Sequence, residues 1–308
     1  MPVPNSNFDQ LSAITRRHFV ANMADNIFDN IALLQRAKKN DVYKSVDGGT
    51  KIIQPLNYAK NTSGGWYARA DALSTTDNDV ITSAEFEWKN LYENISIFGT
   101  DEMKNAGKAA VLKYVQEKVN ICKTTISDRL GTSIYSDGTT AEEIVGLQAI
   151  VHTTSTIGGI SQSANSWWAS QVSSDTVMTL ASLNTLFSDC SLGSNKPSVI
   201  TSDSDEWDRY YNLLSPQQRF QDKMTADGGF TSLMFRGAPW IDDAAAPANK
   251  VFFLNEKALH LYYHEKRNFQ MDDFKKVTNQ DAKVAQIFWM GAMGSSNNRL
   301  HGKVSYTS

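Results

Sequence analysis

The sequence predicts an α+β fold dominated by one long helix and one long hairpin, and three observations carry that prediction. Residues 100–136 set Val111, Val115, Val119, Cys122, Ile126, Leu130 and Ile134 at steps of three or four, which draws one apolar stripe along a helix. Residues 84–98 alternate instead. Phe86 and Trp88 are interleaved with Glu85, Glu87 and Lys89, and Ile95 and Ile97 with Asn94 and Ser96, the period of a half-buried strand. Elsewhere helical and extended patterns follow one another without a regular βαβ count or an internal repeat.

In chain order, residues 1–14 are polar and contain Pro2 and Pro4, which predicts an extended or disordered start. Residues 15–38 carry a helical stripe of Phe19, Met23, Ile27, Phe28, Ile31, Leu34 and Ala37, and such a segment suits lying along a neighbouring subunit. Asp47-Gly48-Gly49 is a turn, and 51–58 is a strand of edge character because Pro55 has no N–H to donate. Two arms, 50–58 and 84–98, then bracket a polar tip of more than ~20 residues, longer than compact domains carry without a task. A lone two-stranded ribbon is marginal in water, so it is expected to pack on another subunit. Trp66 and Tyr67, with Asp71 beside them, are the expected anchors of that contact, unless they fold back onto their own chain.

Thr100 suits an N-cap of the long helix, with Asp101 and Glu102 in its first turn, and Gly107 weakens the start so that the firm part begins near Lys108. A helix over all of 100–136 would be about 55 Å long, which suits a scaffold better than a compact catalyst. Residues 153–166 look like a flexible Ser/Thr/Gly loop. A helix is expected over 176–191, a strand at 197–201 and a helix over 204–214, followed by short strands bracketed by Gly228-Gly229 and Gly237. Residues 250–264 resemble two strands turning at Asn255-Glu256, 268–279 a charged loop, 282–293 an apolar strand and 301–308 an exposed tail.

With 308 residues, 41% hydrophobic and 20% charged, the chain can bury a sizeable core as one large or two modest domains. A formal net charge of −3 excludes a nucleic-acid binder by bulk charge. The basic spots Arg16-Arg17-His18 and Arg36 with Lys38-Lys39 are expected to be solvated helix faces. Cys122 and Cys190 are far apart and lack a CxxC pattern, so free buried thiols are expected. No apolar run reaches membrane-spanning length and no signal-peptide pattern opens the chain, which predicts a soluble protein made and used in a cytoplasm, with no membrane partner.

No catalytic constellation emerges. There is no GxSxG elbow, Walker loop or strand-linked GxGxxG. Ile157-Gly158-Gly159-Ile160-Ser161 lacks the strand and helix that a phosphate turn needs. His260 and His264 stand four apart, but in an alternating segment rather than a helix. Asp203-Ser204-Asp205 lacks the Gly and Glu of a calcium loop and reads as a helix cap. Asp242-Asp243 and Asp272-Asp273 are adjacent, and adjacent side chains point apart. Catalytic, metal and cofactor sites are all read as none.

In their order over some 280 residues, the parts resemble the major capsid protein of tailed phages with the Hong Kong 97-type shell fold. Residues 19–27 look like that family's N-arm, 48–58 and 86–88 like its E-loop hairpin, and 100–136 like its spine helix. Tyr135-Ser136-Asp137-Gly138, residues 146–151, Gly158-Gly159-Ile160 and Trp167-Trp168 match the beginning of its axial domain. Residues 216–220, Gly229-Phe230, Gly237-Ala238-Pro239 and Phe253-Leu254-Asn255 match further on, and 279–299 look like its return strand.

The resemblance implies an N-arm at 1–40, an E-loop with flanking peripheral strands at 41–99, a spine helix at 100–138, an axial domain at 139–255 and peripheral return strands with the C-terminal segment at 256–308. It implies a virion protein, assembled in the host cytoplasm, that forms hexamers and pentamers of an icosahedral head around double-stranded DNA. Its partners would be further copies of itself, a separate scaffolding protein, a portal and a decoration protein, with DNA near it only by non-specific proximity. The early N-arm implies no cleaved scaffolding segment, and the Lys–Asn cross-link of some relatives is not carried over to Lys60 and Asn279. The expected inter-subunit contacts are Phe19, Ile27, Phe28, Trp66, Tyr67 and Asp71. Competing readings are an encapsulin-like nanocompartment shell enclosing cargo, and a hydrolase using Trp167-Trp168 with Asp203 or Asp242.

Overall fold

The computed structural model describes residues 31–104, 108–214, 224–225 and 231–307. Helix α1 (Ala32–Lys39) buries Ala32, Leu33, Leu34 and Ala37 in the chain's own core, so this end of the expected arm does not lie on a neighbour. Arg36 is buried too, a correction to its expected place on a solvated face. Its guanidinium donates to both carboxylate oxygens of Glu256, at 2.6 and 3.0 Å, while Lys38 and Lys39 are exposed.

Strand β1 (Tyr43–Val46) is followed by a hairpin of β2 (Ile52–Asn57) and β3 (Ile81–Phe86), with Ile52 opposite Phe86 and Asn57 opposite Ile81. The arm expected over 84–98 is two strands. β4 (Lys89–Phe98) leaves the hairpin and pairs with the strand Ala282–Ser295, Phe98 opposite Ala282 and Lys89 opposite Gly291. The break falls at Glu87-Trp88, where the Trp88 indole N–H donates to the Gly49 carbonyl at 2.9 Å.

Helix α2 (Gly99–Lys104) follows directly, so Thr100 lies inside a helix and does not cap one. Helix α3 (Lys108–Ile134) has 27 residues, about 40 Å at the usual rise. Val115, Val119, Cys122, Ile126, Leu130 and Ile134 are all buried, as the stripe requires, and each such aliphatic side chain contributes about 1.5–3 kcal/mol by leaving water. The Tyr114 hydroxyl donates to Asp101 at 3.2 Å and ties α3 to α2, and Arg129 pairs with Glu93 of β4 at 3.3 Å.

After α4 (Leu147–Ile150), the expected flexible loop is a tight hairpin of β5 (Thr156–Ile157) and β6 (Ile160–Ser161). Gly158 and Gly159 turn it with φ of 62° and 78°, the left-handed pair that a two-residue hairpin of this hand needs. β7 (Gln171–Asp175) leads to α5 (Leu180–Asp189), capped by Thr179, whose side chain accepts from the Ser182 N–H. β8 (Val199–Ser202) leads to α6 (Ser204–Leu213), capped by Asp203 as expected. Next come β9 (Met224–Thr225), β10 (Thr231–Phe235), β11 (Ala238–Asp242), β12 (Lys250–Leu254) and β13 (Leu259–His264). The chain closes with β14 (Gln270–Met271), β15 (Lys275–Lys276), β16 (Ala282–Ser295) and β17 (Gly302–Tyr306).

Two larger sheets result. One runs β7-β17-β12-β8-β11-β10-β9; in the other, β16 pairs with β4, β13, β14 and β15, and β1 pairs with β13. Three expectations are corrected here. β12 and β13 belong to different sheets, because Asn255 stops the first strand by accepting from the Lys257 N–H (3.0 Å) and donating to the Lys196 carbonyl (2.8 Å). Residues 268–279 are not all loop, since β14 and β15 pair with β16. Residues 302–306 are no exposed tail, since β17 lies between β7 and β12 with Val304 and Tyr306 buried.

The seven-stranded sheet divides the interior. Val199, Ile241, Phe252 and Leu254 face the larger core, shared with α1, α3, α4 and the other sheet. Ile200, Trp240, Val251 and Phe253 face a second core closed by α5 and α6, where Tyr210 stacks on Trp240 with ring centroids 4.3 Å apart. Cys122 and Cys190 are free and buried, one in each core, and burial pushes both thiols up to about 12. Among the described residues no helix is long and apolar enough to cross a membrane.

Candidate functional site

The β2–β3 ribbon is anchored at its root. Its inner face, Ile52, Leu56, Ala84 and Phe86, is buried. Phe86 lies 6.4 Å from the Tyr262 ring, the Tyr262 hydroxyl donates to Gln54 at 2.8 Å, and the Glu85 N–H donates to the Gly158 carbonyl at 3.0 Å. A Cβ on Gly158 would stand 2.6 Å from the Ala84 Cβ, so the tight β5–β6 turn needs glycine both for its φ and for this approach. Beside the root lies a hollow of about 260 Å³ with an apolar floor that includes Phe86, Val145 and Met293 and a rim that includes Lys51, Glu85, Glu87 and Lys89. Lys51 and Glu85 pair across it at 2.9 Å, and that hydrogen bond raises the lysine above its ordinary value.

The outer face and the tip are bare. Ile53 and Ile81 are 63% and 67% exposed. Past Tyr58, whose hydroxyl donates to the Asp79 carbonyl at 2.8 Å, the tip is held by its own polar groups. Asn78 donates to Asn61 and Thr62 across the loop, at 3.0 and 3.2 Å, and Asp71 accepts from the Ala68 N–H at 2.7 Å. Trp66 projects with no part of it covered, and Tyr67 and Leu73 are 69% and 64% exposed. An indole in water with its ring uncovered is a large apolar surface without a partner in its own chain.

Of the expected contact residues, Trp66, Tyr67 and Asp71 come together on this tip, where Trp66 and Tyr67 do not fold back; Phe19, Ile27 and Phe28 lie outside the described residues. Ile53, Leu73 and Ile81 went unnoticed in the sequence. For Ile53 and Ile81 the signal was the register, since they share the outer face only once Asn57 is paired with Ile81.

The acids invoked for hydrolysis are engaged elsewhere. Asp203 accepts from the Glu206 N–H at 3.2 Å, and Asp242 accepts from the Ser204 hydroxyl at 3.0 and 3.1 Å. Asp243 points the other way, into the core, where burial raises it and the Tyr135 hydroxyl donates to it at 3.1 Å. Trp168 is buried with its indole N–H on the Ile157 carbonyl at 3.1 Å. Among the described residues no group of three His, Cys, Asp or Glu could hold a metal ion.

No family model matches the sequence, and no curated protein matches it. Solved structures do. The capsid asymmetric unit of cyanophage A-1(L) matches with a TM-score of 0.70 at 15% identity, over 89% of this chain and 92% of that one. The chain has the fold of a phage capsid protein. The capsid of the native GTA particle matches at 0.59 and 10% identity, over 88% of this chain and 90% of that one. The SrpI encapsulin of Synechococcus elongatus matches at 0.55 and 10% identity, over 86% and 87%. Identities this low reflect a shared backbone path with the side chains largely replaced.

Proposed function

We propose that the chain is the major capsid protein of a tailed double-stranded DNA phage, assembling as hexamers and pentamers into an icosahedral shell around the genome. The carrying observation is a capsid-type fold, matched over 89% of the chain, with a ribbon that leaves Ile53 and Ile81 on its outer face and Trp66 at its polar tip uncovered. In this reading β2, β3 and the loop between them serve as the E-loop and α3 as the spine helix. The sheet around β16 is the peripheral domain, and the seven-stranded sheet the axial domain, into which β17 of the C-terminal segment returns. Residues 1–30 complete the N-arm. Phe19, Ile27, Phe28, Trp66, Tyr67 and Asp71 contact neighbouring subunits, and Ile53, Leu73 and Ile81 join them. The role is structural and not enzymatic, which the engaged acids support. Scaffolding, portal and decoration proteins are its partners, its place is the virion, and it assembles in the host cytoplasm. A net charge of −3 suits a wall that does not clamp DNA.

A second reading, an encapsulin-like shell around cargo, is favoured by the SrpI likeness. A cargo-binding groove near the N-terminus would separate the two. The decisive experiment is sedimentation of the purified chain with electron micrographs of the same sample. Closed shells or rings of five or six are expected. A chain that stays monomeric at high concentration, with crowding agent and with co-expressed scaffolding protein, overturns both shell readings.

A further inference from the structure

One buried cation in the seven-stranded sheet has no acidic partner among the described residues. Lys303, in the interior strand β17, is 7% exposed. It is opposite Phe252, and Lys250 is opposite Ser305 on the same strand pair. Directly opposed residues share a face, so the two lysines emerge on one side of the sheet. Both reach Gln148 of α4: the Lys303 ammonium donates to its backbone carbonyl at 3.2 Å and the Lys250 ammonium to its side-chain oxygen. Gln148 is itself fixed by donating to the Tyr135 carbonyl at 2.7 Å.

Among the described residues no carboxylate lies within ion-pair distance of either lysine. Asp137 feels the charge of Lys250, but it is exposed and accepts from the Thr139 N–H and hydroxyl at 3.1 and 2.8 Å. His152 sits in the same field, lowered by burial and then by Lys303. Burial and then Lys250 push Lys303 down to about 8. Buried charges are ordinarily paired, and each ammonium has three N–H groups to place, so Gln148 alone leaves donors of both lysines over.

We propose that Lys250 and Lys303, gathered on Gln148, form a binding site for an oxyanion of the phosphate class. Two flexible point charges on one side of a sheet suit a compact dianion, whereas a planar guanidinium fork would suit a carboxylate. The site is independent of the shell reading, and neither falls with the other.

The test is a titration of the full unassembled chain with inorganic phosphate at constant ionic strength, read by calorimetry and by Tm. Saturable heat and a rising Tm are expected. Lys250→Gln, at a half-buried position, should weaken binding about tenfold by removing one charge-assisted hydrogen bond, and Lys303→Met should abolish it. Should Lys303→Met fail to fold, Lys250→Gln decides alone. No saturable heat, or an equal response from chloride or from Lys250→Gln, means an adventitious ion only and overturns the proposal.

Discussion

The seven-stranded sheet and the β2–β3 ribbon are made of the same period-two strands, yet they dispose of their apolar residues in opposite ways. In the sheet both faces are covered: Trp240 and Phe253 on one side, and Ile241 and Phe252 on the other, are at most 1% exposed. In the ribbon one face is covered, while Ile53 and Ile81 on the other are more than 60% exposed and Trp66 has no cover at all. An interior strand satisfies both its edges and both its faces within one chain. A two-stranded ribbon leaves an edge and a face on each side to be completed by something else. Stability therefore resides in the sheets and the junction between them, and the ribbon contributes to it only at its root.

That contrast can be broken or sharpened by graded substitutions. Trp240→Ala should cost about 3–5 kcal/mol in denaturant unfolding, because it empties the stack on Tyr210 and removes the hydrogen bond that the indole donates to the Ser202 hydroxyl at 2.8 Å. A loss below 1 kcal/mol would contradict the sheet's role as the stable unit. Arg36→Ala should cost about 3 kcal/mol, since it leaves Glu256 buried with only Asn40 and Ser198 as side-chain donors. Arg36→Lys, which keeps the charge without the fork, should recover part of that loss.

Acid should act on the junction next. His260 and His301 are buried there, and burial pushes them down to about 4 and about 3. Both stay neutral in the folded chain while the unfolded chain binds protons below about 6.5. Stability is therefore complete above that pH and is lost as the pH falls from about 6.5 toward 4 and then 3, at up to about 1.4 kcal/mol per unit for each histidine. Lys44 is the charged group facing His260, and its repulsion has the same sign. His260→Gln should flatten the pH dependence of Tm; an unchanged slope would remove His260 as a source.

Gly158→Ala should cost about 1–3 kcal/mol, through its φ of 62° and the clash with Ala84. It should also loosen the ribbon root, seen as faster hydrogen exchange at Glu85, whose N–H bonds to the Gly158 carbonyl. Smallest in stability is the tip. Trp66→Ser, or removal of residues 63–79, should change unfolding by no more than about 0.5 kcal/mol yet abolish assembly in sedimentation. Loss of the folded monomer instead would show that the ribbon belongs to the core.

The sequence by itself determined the elements whose signal is local. The stripe from Val115 to Ile134 specifies α3, because a helix registers its own periodicity. Asp203 marks a helix start, because a cap acts within three residues, whereas the helix expected from 176 begins at Leu180 behind the Thr179 cap. Pro55 and the polar tip placed the ribbon, and Trp66 and Tyr67 stood out as aromatics in a polar stretch, which the structure leaves exposed. Only the tertiary structure decided what depends on distant pairing. The alternation over 84–98 changes phase, from Phe86 and Trp88 at even positions to Ile95 and Ile97 at odd ones, but which partner each half joins is set by distant pairing, and β12 and β13 look like one hairpin although each enters its own sheet. Gly302-Lys303-Val304-Ser305-Tyr306 looks like a polar tail and is an interior strand, because β7 and β12 take up its backbone groups from both sides. Arg36 is buried because Glu256, 220 residues further along, meets it with both oxygens. Periodicity tells a strand which side of it is apolar; the partner that covers that side is fixed only when the chain closes on itself.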